Sequence, residues 1–261
     1  MENLFGDQKT GVIVACDVRS DNELKELVRQ TAGVEGIVGY KVGCMLGLRY
    51  GLGTVMDTID EYASNAVVIY DHQKAGTDVP HLGKGFAEVV GEANINAAII
   101  FPQSGPETEV AFINALKGEG VVPIGGGEMT HPKYLVKDGG FISDDAPVRM
   151  YEIELENGVE YFIVPGNKPK SIKRFIDGPF RNKKVTFASP GHGKQGGFLP
   201  SAINASYPYP YFGIIGTTIY AQPVGEGKKY PNFESPRKAA EFYADEALTT
   251  WKDLEEKLVK N

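Results

Sequence analysis

Apolar residues along this chain fall into short runs of β length, each ending at charged or glycine-rich positions and each followed by a stretch long enough for a helix. The first half predicts strands at Val12–Cys16, Ile37–Val42, Ala66–Tyr70 and Ala97–Phe101. The second half predicts them at Val121–Ile124, Glu160–Val164, Lys184–Ala188 and Tyr211–Ile215. Strands alternating with helices in this way make βαβ units, and eight of them predict an α/β protein with a single (β/α)8 TIM barrel. Helix signals agree. Ser20-Asp21 caps a run beginning at Asn22, Gly105-Pro106-Glu107 opens one that reaches Leu116 with Gly118 as its stop, and Pro169 opens Lys170–Ile176 before Gly178. The competing architecture is a doubly wound open sheet, but no Gly-x-Gly-x-x-Gly follows the first strand. The segments Lys133–Asp145 and Gln222–Pro236 read as insertions or long loops, so residues 1–261 are expected to form one barrel domain.

Composition narrows the class without choosing a function. Of the 261 residues, 42% are hydrophobic and 23% charged, as in a globular protein with a full core. A net charge of −7 argues against a nucleic-acid partner, although it leaves room for a local cationic pocket that takes a small anion. Cys16 and Cys44 lack metal-ligand spacing and read as free thiols, so no metal site is expected. The opening MENLFGDQKT has no basic stretch followed by an apolar one, and nowhere do 18 apolar residues run together. A cytoplasmic enzyme with no membrane partner is the expectation.

The strand ends carry the chemistry. If the eight runs close into a barrel, Asp17, Lys41, Asp71 with Lys74, Glu128 with Thr130, Ser189-Pro190-Gly191 and Gly216-Thr217 gather at one mouth. Lys41 sits inside the otherwise apolar Gly39-Tyr40-Lys41-Val42-Gly43, where an unpaired ammonium is costly, so it requires an anionic partner. After strand three, Asp71-His72-Gln73-Lys74 continues to Asp78-Val79-Pro80, bracketing a lysine with carboxylates. After strand seven, Ser189-Pro190-Gly191-His192-Gly193-Lys194-Gln195-Gly196-Gly197 stands where barrels often bind phosphate through converging backbone N–H groups. His131 before Pro132 reads as a turn residue, and no role is assigned to Tyr207, Tyr209 or Tyr211.

Taken in order, Asp17, Lys41, the Asp71/Lys74/Asp78 cluster, Glu128-Met129-Thr130-His131-Pro132, the loop from Ser189 to Gly197 and Gly216-Thr217-Thr218-Ile219-Tyr220 resemble orotidine 5′-phosphate decarboxylase over nearly the whole chain. The resemblance implies a cofactor-free barrel that converts orotidine 5′-phosphate to uridine 5′-phosphate and CO2 in pyrimidine synthesis. It implies a catalytic charge network of Lys41, Asp71, Lys74 and Asp78, with Lys74 the proton donor to C6. Asp78 would reach the neighbouring subunit's site, which implies a homodimer. Asp17 would hold the ribose, and Thr130 stands where the family usually has serine near the pyrimidine. Gln195 would close over the phosphate, in a substrate site completed by Pro190, Lys194, Gly216 and Thr217.

The chain departs from the family at three places. The usual Asp-x-Lys-x-x-Asp is one residue longer in each interval here, which a bulge or an early loop after Asp71, helped by Gly76, would accommodate. The usual Gly-Arg that grips phosphate is Gly216-Thr217, and Lys194, then His192, then Lys228 or Lys229, are the candidate replacements. Leu82 stands in place of the threonine that usually follows the Asp-Val-Pro. Two other readings remain: a Mg²⁺-dependent phosphosugar decarboxylase or aldolase-like barrel, and a non-catalytic nucleotide-binding barrel.

Overall fold

The computed structural model describes residues 3–72, 75–221 and 233–260. Eight parallel strands, β1 (Thr10–Cys16), β2 (Ile37–Gly43), β3 (Val67–Asp71), β4 (Ala97–Ile100), β5 (Val122–Gly126), β6 (Tyr161–Ile163), β7 (Thr186–Ser189) and β8 (Tyr211–Ile215), close in sequence order into a barrel. The (β/α)8 TIM barrel predicted from the pattern is therefore the observed fold, with strand limits differing by at most two residues and the eighth strand unchanged.

Period-two alternation divides each strand between two cores. Val12, Val14 and Cys16 of β1 face the helices, together with Tyr40 and Val42 of β2 and Val68 and Tyr70 of β3. Ile13, Ala15, Ile69, Ile99, Ile124, Ile163 and Ile214 fill the barrel interior. Because side chains on a strand alternate, Lys41 between Tyr40 and Val42 must point inward, as must Asp71 after Tyr70. The register keeps these positions close, with Lys41 beside Ala15 on β1 and Ile69 on β3. Phe5 closes the other end of the interior, its ring 4.1 Å from that of Phe212.

Helix boundaries follow their capping signals. Ser20 is extended and its hydroxyl accepts the Glu23 N–H at the start of helix Asp21–Thr31. Proline occupies the first turn of helices Pro106–Gly118 and Pro169–Asp177, where its missing N–H costs nothing. Strand β5 runs two residues further than its apolar pattern, through Gly125 and Gly126. Both are glycine because neighbours fill the space a Cβ would need: a Cβ on Gly125 would overlap the Glu154 carboxyl, and one on Gly126 would stand 2.6 Å from the Phe101 ring.

The 133–145 stretch is a loop with a short 3-10 turn at Val136–Asp138 and a bridge between Leu135 and Ile142. It is tied to the barrel by the Tyr134 hydroxyl, which donates to the Gly127 carbonyl at 2.9 Å. The expected loop after strand eight falls largely outside the described residues, and Pro236 opens the final helix, Pro236–Val259. Among the described residues no helix is long and apolar enough to cross a membrane.

Candidate active site

The C-terminal ends of the strands surround a cavity of about 290 Å³. Its apolar lining comes from Ala15, Ile99, Phe101, Ile163 and Ile214, all inward-facing barrel positions. Around that lining the cavity gathers Asp17, Lys41, Asp71, Thr130, Pro190, Lys194, Gln195, Gly216 and Thr217, nine of the positions picked out from the sequence.

On one side lies an acid–base–acid arrangement. The Lys41 ammonium donates to Asp71 Oδ2 at 2.9 Å and lies 3.5 Å from Asp17 Oδ1. Lys41 is only 7% exposed. Burial works against its charge, but the Asp71 and Asp17 carboxylates outweigh that and raise its pKa above the ordinary lysine value. The anionic partner its place in an apolar strand demands is thus present twice. Strand β3 ends at Asp71, so the chain leaves the sheet at once, and Gly76 turns it with φ of 79°. The strand thus ends where the stretched interval begins, and residues 73–74 of that interval lie outside the described residues.

Lys74 lies outside the described residues. Asp78 does not line this chain's own cavity; its carbonyl accepts from Thr108 and Ser104, and its Oδ1 from the Val79 N–H.

The opposite side is built by the loops after β7 and β8. Gly193–Gln195 forms a 3-10 turn, with Gly193 and Gly196 in left-handed conformations that closely favour glycine. Lys194 and Gln195 are exposed on this turn and line the cavity with Thr217 and Thr218. Beneath them His192 is buried, its Nε2 3.1 Å from the Tyr211 hydroxyl. Burial lowers its pKa to about 4, so the imidazole is neutral at ordinary pH and supplies no cation to the mouth.

Three partners of Glu128, namely Lys168, Ser171 and Arg174, escaped the sequence reading. Glu128 is 2% exposed and accepts from Lys168 at 3.0 Å, Ser171 at 3.3 Å and Arg174 at 3.2 Å. Lys168 also donates to the Met129 carbonyl at 2.8 Å. These three partners recur every third residue from the start of helix Pro169–Asp177, a spacing that places them on neighbouring parts of one face. That was the available signal, but nothing local linked it to a glutamate 40 residues earlier. His131 holds its turn through its own Nδ1 and the Pro132 carbonyl, 3.0 Å apart.

No protein-family model and no curated protein matches the sequence. Solved structures do. Orotidine 5′-monophosphate decarboxylase from Methanocaldococcus jannaschii, complexed with the inhibitor BMP, has a TM-score of 0.75 at 20% identity over 91% of this chain and 98% of its own. The enzyme from Pyrococcus horikoshii OT3 gives 0.70 at 25% identity over 90% and 98%. That from Sulfolobus solfataricus gives 0.65 at 22% over 97% and 100%. The resemblance to the orotidine 5′-phosphate decarboxylase family that the motifs carry is borne out by these structures, whose fold covers nine-tenths or more of the chain.

Proposed function

We propose that this chain decarboxylates orotidine 5′-phosphate to uridine 5′-phosphate and CO2, without a cofactor and as a homodimer. The observation that carries the reading is the buried Lys41, paired with Asp71 and Asp17 and facing a phosphate-type loop across one cavity. Decarboxylation breaks the C6–carboxylate bond and leaves its electron pair on C6. What the site must supply is a fixed positive charge near C6 and then a proton. Lys74, assigned by its motif, gives that proton from its ammonium and regains one from water. Lys41, held charged by two carboxylates, orients Asp71 and adds positive potential that needs no reorganisation as C6 becomes negative. Asp71 in turn disfavours a second carboxylate beside it, a strain that departure of CO2 relieves.

The rest of the substrate has matching partners. Asp17, 52% exposed in its side chain, is available to ribose hydroxyls. Thr130 is assigned to the pyrimidine end and Pro190, Lys194, Gln195, Gly216 and Thr217 to the phosphate, an assignment supported by all six lining the one cavity. Phosphate lies far from the bond that breaks, so its binding energy serves to close the site over the ring. Asp78, absent from its own cavity, is assigned to the partner's site.

The test is an ultraviolet assay for loss of orotidine 5′-phosphate in the presence of a chelator. Turnover that survives chelation supports the reading. Turnover of sugar phosphates that requires Mg²⁺, or tight uridine 5′-phosphate binding without any turnover, replaces it with one of the two alternatives.

A further inference from the structure

A second cavity, of about 840 Å³, opens beside the N-terminal ends of β1, β6, β7 and β8, on the barrel face opposite the candidate active site. It is lined by Lys9, just before β1, and by Lys183 and Lys184, just before β7, all three of them exposed. Glu160, just before β6, is the one acid lining it among the described residues. None of the three ammonium groups has an ion pair or hydrogen bond among the described residues. Cations on the helices are placed differently: Lys25, Lys173, Arg237 and Lys238 each lie within 3.1 Å of a carboxylate one turn away. Like charges gathered around one opening repel, and a single acid leaves the opening net positive on a chain of net charge −7.

The backbone that carries these lysines is tied down. Tyr211 N–H donates to the Lys9 carbonyl at 2.9 Å, and Lys183 N–H donates to the Phe180 carbonyl at 3.0 Å. The Tyr209 hydroxyl donates to that same Phe180 carbonyl at 2.9 Å. Asn182 turns the chain into Lys183 and Lys184 through the left-handed region, at φ of 59°, which asparagine tolerates better than most residues. An anion arriving here therefore orders flexible side chains and little backbone, which keeps the entropic cost of binding low. With its hydroxyl committed to Phe180, Tyr209 gives the cavity its ring, and Pro208 and Pro210 on either side have no N–H to satisfy. The lining thus combines cationic groups with nonpolar ring surface.

We propose that this cavity is a second ligand site, for a small polyphosphate, either free or as the triphosphate of a nucleotide. A polyphosphate carries enough charge to engage three ammonium groups at once, whereas a monocarboxylate would leave two of them repelling each other. Lysine serves here as a mobile point charge that needs no fixed ligand geometry. The site lies beyond the decarboxylase reading and does not rest on it.

The experiment titrates the full chain with sodium tripolyphosphate at low salt and follows heat. Wild type should bind one equivalent. Lys183→Ala combined with Lys184→Ala should weaken binding about a hundredfold, each charged contact accounting for about tenfold, with orotidine 5′-phosphate turnover within about twofold of wild type. A second readout needs no variant: acetylation of wild-type lysines, read by mass spectrometry, should be suppressed by tripolyphosphate at Lys9, Lys183 and Lys184 and unchanged at Lys25 and Lys238. Adenosine triphosphate binding about tenfold more tightly than tripolyphosphate would identify a nucleotide as the occupant, held also by ring contacts with Tyr209; equal affinity would identify the free polyanion. Absence of saturable binding, wild-type affinity in the double variant, or protection of Lys194 in place of the three lysines overturns the proposal.

Discussion

Glu109 and Glu154, on helices Pro106–Gly118 and Ala146–Glu156, are buried against the outer face of β5, with exposures of 1% and 0%. Glu109 Oε1 and both Glu154 oxygens have no hydrogen-bond partner among the described residues. The Lys117 ammonium nearby is held by the Asn157 and Gly158 carbonyls. Burial raises Glu109 from an ordinary 4.5 to about 8, and it raises Glu154 well above the ordinary value, with the charge of Glu109 adding to it. The folded state therefore keeps a proton on Glu109 that the unfolded chain releases above pH 4.5. The Glu109 contribution to stability must fall as pH rises through that window and level off above pH 8. At roughly 1.4 kcal/mol per pH unit, Glu109 accounts for about 3 kcal/mol of lost stability between pH 5 and pH 8. The decisive perturbation is Glu109→Gln, which fills the same space without titrating. Its amide brings an extra buried donor, so the informative quantity is the slope and not the absolute stability. Urea unfolding of both proteins across this range should give curves that diverge by about 3 kcal/mol, the variant gaining on wild type as pH rises. Parallel curves would show that Glu109 finds its charge compensated and would refute the argument.

Acid should act in the opposite sense through His192. Its folded pKa near 4 lies below the ordinary 6.5, so stability is complete above pH 6.5 and is lost as pH falls towards 4; His192→Gln should lose less over that interval in the same unfolding measurement. Lys194→Ala should reduce kcat/KM for orotidine 5′-phosphate by about 10–150-fold while leaving the phosphate-free nucleoside nearly unchanged. Equal effects on the two substrates would move the phosphate cation to Lys228 or Lys229, which lie outside the described residues. Mixing inactive Asp78→Asn subunits with inactive Lys74→Ala subunits should restore activity, because one hybrid site receives both native groups; verified heterodimers without activity would assign Asp78 to its own chain.

What could be read without coordinates was whatever strand alternation governs. Lys41 was legible because a lysine between Tyr40 and Val42 has only one interior to enter, and the same rule oriented Asp71. Gly125 and Gly126 misled as a strand end because a glycine's usual meaning is a turn, whereas here a carboxyl and a ring from distant elements occupy the missing side chains' space. The pairing of Glu128 with Lys168 and Arg174 depends on which loops meet at the mouth. That information lies in the closure of the barrel and in no local pattern.

The end of β3 at Asp71 has a bearing on how such sequences diverge. Residues up to Asp71 are bound by parity, since shifting one position would turn the acid out of the interior and into the helical layer. The ladder ends at that residue, so extra residues beyond it disturb no ladder hydrogen bond. Insertions between Asp71 and Asp78 are thus nearly neutral to the fold, while one inside β2 or β3 would be lethal to the charge arrangement. Relatives of this chain should differ freely in those intervals while keeping the inward phase of Lys41 and Asp71. A search pattern with fixed strand phase and free loop length would recover chains that a fixed-spacing motif passes over.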